Sequence, residues 1–211
     1  MGKINGLEEI QDVPPKVRKM YTAVIEMLEE GVDAAGIRVS TITERAGIGK
    51  GTAYEYFDSK EEIVACALVY QIKWMFRWLE GVLEKKENFY EQLSFLMDGI
   101  EKKDKSMNCF LRFVHMMTDN SEFSRTVREK INSEEFGPWQ PASVFGRILR
   151  RGIERGELRE DMAVEYMIYC VFSHLLTYVL ATATEEYFSP DLKSIKKLAC
   201  QGVVNEIGRK A

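Results

Sequence analysis

Apolar residues recur at steps of three and four along almost the whole chain, which is the period of an amphipathic α-helix. Near the N-terminus, for example, Val17, Met20, Val24 and Met27 follow this spacing. Five prolines in 211 residues leave room for long helices, because proline interrupts them. The pattern predicts an all-α fold whose helices pack around shared apolar cores.

The ends of these periodic segments predict the helix boundaries. The first helix is predicted from Pro15 or Lys16 to about Ala34, and Gly36 then ends or bends the chain. A helix that starts at Lys60 continues for about five turns. Further helices are predicted near residues 88–103, 106–118, 121–132, 141–155, 161–186 and 191–209, with a loop at residues 133–141.

Residues 43–63, TERAGIGKGTAYEYFDSKEEI, place two glycines and a short polar turn between helical segments. A short helix is predicted at residues 40–46, followed by Gly47 at a position where only glycine adopts a left-handed backbone at little cost. Gly49 then precedes a second short helix, predicted from Lys50 to about Phe57. Helix, glycine-containing turn and short helix form the helix-turn-helix pattern, whose second helix enters the major groove of DNA.

Two capping boxes are predicted on either side of this turn. Thr41 with Glu44, and Ser59 with Glu62, both have the Ser/Thr-x-x-Glu form. The first would begin the short helix before the turn, and the second would begin the long helix at Lys60.

The second short helix carries side chains suited to phosphates and base edges. Thr52, Tyr54 and Tyr56 supply hydroxyl groups, and Lys50 supplies a positive charge. Lys60 follows on the first turn of the next helix, where backbone N–H groups and the helix dipole favour an anion. We predict DNA contacts from Ser40, Thr41, Lys50, Gly51, Thr52, Tyr54, Glu55, Tyr56 and Lys60.

The segment ITERAGIGKGTAYEYFDSKEEI, residues 42–63, resembles the signature of the TetR family of bacterial transcriptional regulators. The usual form of that signature is close to I-A-x-x-A-G-V-S-x-G-T-L-Y-x-Y-F-x-x-K-E-x-L. With the preceding helix and Gly36, the likeness extends over roughly the first 65 residues. The rest of the chain matches the family in helical organisation rather than in motif.

The resemblance implies an all-α homodimer with a three-helix DNA-binding domain at residues 1–59 and a helical effector-binding and dimerisation domain at residues 60–211. By position, residues 50–57 would be the recognition helix. Residues that match Thr52, Tyr54 and Lys60 typically contact the phosphate backbone in this family. The expected function is a ligand-responsive transcriptional regulator, most often a repressor that releases a palindromic operator when a small effector binds.

Three positions depart from the family signature. Thr43 and Ala53 stand where the family usually has alanine and leucine, and Gly49 stands where it usually has serine. Without that hydroxyl, Gly49 could lose a helix cap or a phosphate contact. Glu55 is acidic at an outward position, where it could accept a hydrogen bond from a cytosine amino group or repel a phosphate.

Charge gives DNA binding only local support. The net charge is −4, and residues 36–60 contain four basic residues against three acidic ones. Binding is therefore expected to be modest and strongly salt-dependent. The alternative is a helical protein-interaction module that keeps the architecture without the DNA-binding function.

A ligand-responsive domain needs a cavity with apolar walls and a few polar groups. The candidates are Trp74, Trp78, Phe110, Phe113, His115, Met117, Trp139, Tyr169, Phe172 and His174. An aromatic and methionine stripe at helical spacing is also typical of an ordinary core. We expect no metal site, because the two histidines lack neighbouring ligand pairs in the sequence, and we expect no cofactor. No arrangement of nucleophile and base supports an enzyme.

The last two helices bear on assembly and location. Residues 166–183 carry no formal charge, and this segment is just long enough to span a membrane. It also includes several hydroxyl groups and a histidine, which make it a poor membrane span. Burial in a core or in an oligomer interface fits better. Two such helices from each of two subunits would form a four-helix interface. The four cysteines lack metal or disulfide spacing, which favours reduced thiols in the cytoplasm.

Overall fold

The computed structural model describes residues 3–102 and 105–209. Within these ranges the regular structure is helical, apart from one isolated bridge between Leu158 and Gly208. The all-α fold predicted from the sequence is confirmed. The helices are α1 (Pro15–Glu29), α2 (Val39–Arg45), α3 (Lys50–Tyr56), α4 (Lys60–Leu83), α5 (Phe89–Lys102), α6 (Lys105–Thr118), α7 (Glu122–Asn132), α8 (Pro141–Glu154), α9 (Val164–Ala183), α10 (Glu185–Phe188) and α11 (Leu192–Ile207).

The predicted boundaries of α2, α3 and α5 to α8 lie within one or two residues of the observed ones. Helix α4 begins at Lys60 as predicted, but its 24 residues continue beyond the predicted five turns. The segment predicted as one helix at residues 161–186 is divided, because α9 ends at Ala183 and the short α10 follows. The predicted loop at residues 133–141 contains a 3-10 helix, Glu134–Trp139.

The first helix ends five residues earlier than predicted, because Gly31 rather than Gly36 terminates it. Gly31 has a φ of 87°, and the N–H group of Val32 donates to the carbonyl of Met27. This is the Schellman motif, in which a left-handed glycine satisfies the last carbonyls of a helix. A 3-10 turn, Ala34–Gly36, then leads towards α2.

The same motif ends α2 and forms the turn before α3. Gly47 has a φ of 63°, its N–H group donates to Glu44, and the N–H group of Ile48 donates to Thr43. Gly49 occupies the N-cap of α3. Both glycine assignments in this turn are therefore confirmed.

One of the two predicted capping boxes forms. Ser59 Oγ accepts a hydrogen bond of 3.1 Å from the N–H group of Glu62, while the Glu62 carboxylate accepts 2.7 Å from the N–H group of Asp58. The prediction of a capping box at Thr41 is wrong, because α2 begins at Val39 with Arg38 at the N-cap. Thr41 therefore already lies inside the helix.

The chain divides into two compact units. The first contains the chain up to Met75 together with Arg112–Gly137, and the second contains Phe76–Leu111 and the chain from Pro138. These units are defined by packing, so the functional division between residues 59 and 60 stays a prediction.

In the first unit, α1 packs on α2 and α2 packs on α3. Tyr21 of α1 is 1% exposed, and its ring centroid lies 6.1 Å from Phe57 and 5.3 Å from Tyr70. Phe57 follows α3 directly and is also buried. Aromatic contacts of this kind hold the end of α3 against α1 and α4.

The N-terminal segment is tied to the first unit by a buried lysine. Lys73 of α4 is fully buried, and its ammonium group donates to the carbonyls of Leu7 and Glu8 and to the carboxylate of Glu9, at 3.0–3.3 Å. It also lies 5.9 Å from the ring centroid of Phe136. A buried ammonium group needs such partners, because desolvation of an unpaired charge is costly.

The second unit is centred on α9, which packs against α11, α8 and α5. Phe172 of α9 lies 5.6 Å from Phe110 and 5.0 Å from Phe145, between ring centroids. Glu80 is buried and accepts two hydrogen bonds of 2.7–2.8 Å from the guanidinium group of Arg147. A bidentate pair of this kind satisfies a buried carboxylate.

Among the described residues, α9 is long and apolar enough to cross a membrane by length and composition. It also leaves large apolar side chains exposed: Tyr169, Leu176 and Leu180, at 75%, 42% and 64%. Its other face lies in the core, where Met167, Leu175 and Tyr178 are buried. One face of the helix therefore lies in the core, and the rest leaves several large apolar side chains exposed.

The turn before α3 gives a prediction for stability. Gly47→Ala should lower the free energy of unfolding by about 1–2 kcal/mol, the cost of a left-handed backbone with a Cβ atom. No atom lies within 4 Å of the added methyl group, so strain rather than a clash is the cause. Urea unfolding followed by circular dichroism measures the loss.

Gly51→Ala is the matched control for this change. Gly51 lies on α3, has equally open surroundings and has no positive φ. Alanine is a better helix former than glycine, so this variant should be as stable as the wild type or more so. Equal losses in both variants would contradict the role given to Gly47.

Candidate nucleic-acid interface

Helix α3 has one buried face and one exposed face. Ala53 and Tyr56 are buried at 0% and 2% exposure. Lys50, Gly51, Tyr54 and Glu55 are exposed, and their spacing places them along the opposite face. This face presents a cation, a phenol and a carboxylate on a slim helix of seven residues.

A helix of seven residues does not persist alone in water, because nucleation is costly and few hydrogen bonds follow it. The buried face supplies part of the missing stability. The N-terminal segment supplies more: Lys3 Nζ donates to the carbonyl of Tyr54 at 3.1 Å, and the N–H group of Ile4 donates to Tyr56 at 3.0 Å. Two of the last carbonyls of α3 are thereby satisfied.

The sequence analysis did not find this contribution of the N-terminal segment. Ile4 is 8% exposed and Val13 is 2% exposed, so the segment is packed rather than loose. Gly6 has a φ of 82°, and a Cβ atom there would lie 2.9 Å from Cys66. The isolated apolar residues before α1 and Gly6 were the available signal, and they carry no helical period.

Several of the residues predicted to contact DNA have exposed side chains. Tyr54 is 46% exposed, and Lys50 and Glu55 are exposed beside it. Lys50 makes no hydrogen bond or ion pair to the described residues, so its charge is available to a phosphate. Ser40 of α2 is also exposed, while Thr41 and Thr52 are half-buried.

Tyr56 differs from the expectation that its hydroxyl contacts DNA. The side chain is 2% exposed, and its ring centroid lies 6.5 Å from that of Phe57. A DNA contact through this ring would require it to leave the core. Its place is therefore on the face that docks α3.

Two basic residues near α3 already have partners. The Arg45 guanidinium group forms two hydrogen bonds of 2.7 Å with the carboxylate of Glu30, which lowers the pKa of that carboxyl group. Lys60 Nζ donates to the carbonyl of Ala35 at 3.0 Å and lies 3.2 Å from the Glu61 carboxylate. A phosphate would have to compete with these contacts, so the local positive charge is weaker than the residue count indicates.

A cavity of about 440 Å³ lies within the first unit. This volume is in the range of small-molecule sites. Its lining includes apolar side chains of α1, α4, α6 and α7: Leu28, Val64, Leu68, Met116 and Phe123. Ala34 and Ala35, from the 3-10 turn before α2, complete this side of the wall.

Some charged groups of this cavity have hydrogen-bond partners within the described part of the chain, and others do not. The Asp119 carboxylate accepts hydrogen bonds from Ser121 and Ser124, which lower its pKa to about 2. The pKa of Glu61 is lowered by a backbone hydrogen bond and then by Lys60. Arg112 and His115 project from the same face of α6 into the lining. Within the described residues, Arg112 has no ion-pair partner.

The predicted ligand-binding residues are distributed over both units. Of these, His115 lines the 440 Å³ cavity. Trp74 and Tyr169 are exposed, and Phe110 and Phe113 are buried. In the second unit, the guanidinium groups of Arg77 and Arg147 lie 5.7 and 6.0 Å from the Trp139 ring centroid, and Trp78 lies 6.1 Å from Phe95. Met117, Phe172 and His174 are half-buried.

Comparison with known proteins finds one family model that matches the N-terminal part of the chain. Residues 22–66, which contain the second half of α1 and all of α2 and α3, match the family model described as bacterial regulatory proteins, tetR family. The fatty acid metabolism regulator protein of Bacillus subtilis (strain 168) is 25% identical over 162 residues, which is 75% of this chain and 78% of the relative. The HTH-type transcriptional repressor KstR2 of Mycobacterium tuberculosis is 27% identical over 141 residues, 65% of this chain and 66% of the relative.

Solved structures share the fold. The transcriptional regulator FadR from Bacillus subtilis, crystallised in complex with stearoyl-CoA, superposes with a TM-score of 0.61 at 19% identity, over 89% of this chain and 97% of that one. The likeness supports the helical architecture over nearly the whole chain. The helix-turn-helix at α2 and α3 and the family match over residues 22–66 identify this N-terminal part of the chain as that of the tetR family of bacterial regulatory proteins.

Proposed function

We propose that this regulator acts in the cytoplasm as a homodimeric repressor, which releases a palindromic operator when an anionic, largely apolar small molecule fills the cavity of the first unit. The observation that carries the DNA-binding part is the exposed face of α3, held on a scaffold that the family model covers. The effector part rests on the cavity and its charges.

DNA contact through α3 follows from which groups it exposes. Lys50 supplies the charge that attracts a phosphate, and the Tyr54 hydroxyl supplies a donor at nearly half exposure. The exposed Gly51 has open surroundings, so the sugar-phosphate backbone can approach α3 closely there. Glu55 is the base-reading candidate, because a carboxylate accepts from the cytosine amino group in the major groove.

The DNA-binding proposal predicts a loss of affinity in Tyr54→Phe. Removing the hydroxyl should weaken operator binding about three- to tenfold per contact, the usual value of one hydrogen bond. Fluorescence anisotropy with an operator selected from a random duplex pool measures the change at fixed salt. Tyr90→Phe is the matched control, because Tyr90 is 44% exposed and lies on α5.

An unchanged affinity in Tyr54→Phe, or an equal loss in Tyr90→Phe, would contradict the assigned contact. A selection that enriches no sequence at low salt would favour the protein-interaction alternative instead.

Homodimerisation is supported by the apolar surface of α9 and α11. Leu180 of α9 and Leu198 of α11 are each 64% exposed. Tyr169 and Leu176 are also exposed, and their helical spacing places them on the same face of α9 as Leu180. An exposed apolar patch of this kind marks an interaction surface in a soluble protein. A two-fold axis through it would present two α3 helices to two half-sites.

Leu180→Glu should therefore convert the dimer to a monomer, because it places a charge in an apolar interface. Sedimentation velocity measures the mass, and operator binding should fall by at least about tenfold when the two half-sites are no longer linked. Val32→Glu is the control, since Val32 is an exposed apolar residue of the first unit. A wild-type monomer, or an unaffected dimer in Leu180→Glu, would refute this interface.

The chemistry of the cavity defines the class of effector. Its walls are mainly apolar, while the Arg112 guanidinium group lies in the lining without an ion-pair partner among the described residues. The carboxylates of Glu61 and Asp119 already accept hydrogen bonds from this chain. A molecule with an apolar chain and one anionic group complements this arrangement, and the fatty acid regulators among the relatives point to the same class.

The switch is proposed to act on the 3-10 turn before α2. Ala34 and Ala35 line the cavity, and the Ala35 carbonyl is held by Lys60. An anionic group that draws Lys60 away would release this carbonyl and loosen the approach to α2. The effector must bind the released arrangement better than the DNA-bound one, because only differential affinity shifts the equilibrium.

Arg112→Gln should weaken binding of a fatty acid or its coenzyme A thioester about ten- to a hundredfold, the value of a hydrogen bond to a charged group. The apoprotein should keep its operator affinity. Isothermal titration measures the first quantity and anisotropy the second. Arg125→Gln is the control, because Arg125 is exposed on α7 and does not line the cavity. Equal affinities in wild type and Arg112→Gln would contradict the site.

A further inference from the structure

In the second unit, three groups with metal-ligating chemistry come together between α9 and α11. Cys170 and His174 lie one turn apart on α9, and Glu206 lies on α11. The Cys170 Sγ atom, one ring nitrogen of His174 and one carboxylate oxygen of Glu206 all lie within 4.8 Å of one another. Cys170 is buried, and the other two are half-buried.

The imidazole ring of His174 is oriented by a hydrogen bond on its own helix. Its Nδ1 atom lies 3.0 Å from the carbonyl oxygen of Cys170, so this contact assigns the proton to Nδ1. The Nε2 atom then keeps its lone pair, with which it can coordinate a metal ion. Metal-binding histidines commonly donate their second N–H group to a carbonyl in this way.

Helix α11 provides room for this ring through a glycine. A Cβ atom at Gly202 would lie 2.4 Å from His174 Nε2, so any larger residue would displace the imidazole. Gly202 and Glu206 are one turn apart, which places both on the face of α11 that meets His174. The glycine therefore sets how closely the imidazole approaches α11.

The carboxylate is also oriented. The hydroxyl group of Tyr166 donates to one oxygen of Glu206 and lowers its pKa, with a further contribution from Cys170. The Cys170 thiol is the second hydrogen-bond partner of this carboxylate, and loss of the thiol proton on metal binding would release that contact to a cation. A supporting hydrogen bond to a ligating carboxylate is a regular feature of protein metal sites.

We propose that Cys170, His174 and Glu206 form a three-ligand site for a divalent ion of the Zn²⁺ class, which clamps α9 to α11. A thiolate, an imidazole and a carboxylate suit zinc and its spectroscopic substitute cobalt rather than calcium or magnesium. Three protein ligands leave a fourth tetrahedral position for water.

The donor spacing is compatible with this assignment. Ligand atoms about 2.0–2.3 Å from a tetrahedral ion are about 3.4–3.7 Å apart, so the three groups must close by roughly 1 Å from their present limit. Rotation of the half-buried Glu206 side chain brings its oxygen closer. The competing explanation is a hydrogen-bonded chain from Tyr166 through Glu206 to the Cys170 thiol, with no affinity for metals.

Cobalt titration of the full chain separates these explanations. After treatment with a chelator, Co²⁺ should bind at one ion per chain and give a thiolate-to-cobalt charge-transfer band, which Zn²⁺ then removes. Glu206→Gln and His174→Gln should weaken Co²⁺ binding at least tenfold. Cys170→Ser should abolish the charge-transfer band.

Matched controls come from the same residue types. Cys200→Ser removes a buried thiol of α11 that lies outside the cluster, and His115→Gln removes the other histidine. Both should keep wild-type binding. Gly202→Ala retains all three ligands but displaces His174, so it too should lose affinity.

Circular dichroism of the metal-free variants verifies that they fold. If Cys170→Ser proves unstable, Glu206→Gln still tests the site, because it preserves the size and hydrogen bonding of the side chain. Absence of the charge-transfer band in the wild type would overturn the proposal. So would a band whose affinity is the same in wild type, Glu206→Gln and His174→Gln.

Discussion

Helix α3, which we propose reads DNA, cannot form without the elements that hold it. Seven residues yield too few hydrogen bonds to offset nucleation, so α3 depends on the packing of Ala53, Tyr56 and Phe57 against the first unit. The arrangement explains why the exposed face can be chosen for recognition. Stability comes from the buried face and from the N-terminal segment, which satisfies two carbonyls near the C-terminal end of α3. The exposed side chains of Lys50, Tyr54 and Glu55 are therefore not needed to hold the helix.

Much of the fold could be predicted because its signals are local. Gly47 and Gly49 fix the turn through backbone preferences of single residues, and Ser59 caps α4 three residues before its partner. The misplaced end of α1 has the same kind of cause: Gly31 and Gly36 are both plausible terminators, and only the Schellman hydrogen bonds distinguish them. Tyr56 was the harder case, because the helical position alone does not say which tyrosine of the pair faces inward.

The candidate sites were less predictable, because they join residues that are distant along the chain. The cavity combines α1, α4, α6 and α7, so a stripe of aromatic residues on individual helices could not locate it. Cys170 and His174 are spaced one turn apart, but this spacing was not interpreted as a ligand pair in the sequence. Glu206, however, comes from another helix, and nothing in the sequence places it beside them. The three-residue cluster is therefore recognised only when the folded structure brings α9 and α11 together.

The N-terminal segment has a consequence for how the molecule is made. Lys130 donates to the carbonyl of Asn5 at 2.7 Å, and Asn5 also contacts Glu135, so the support beneath α3 includes residues far downstream. During translation, α3 is synthesised early. It lacks part of its supporting contacts until Lys130 and Glu135 have left the ribosome. A truncated product ending soon after α3 would carry the recognition sequence without the platform that presents it.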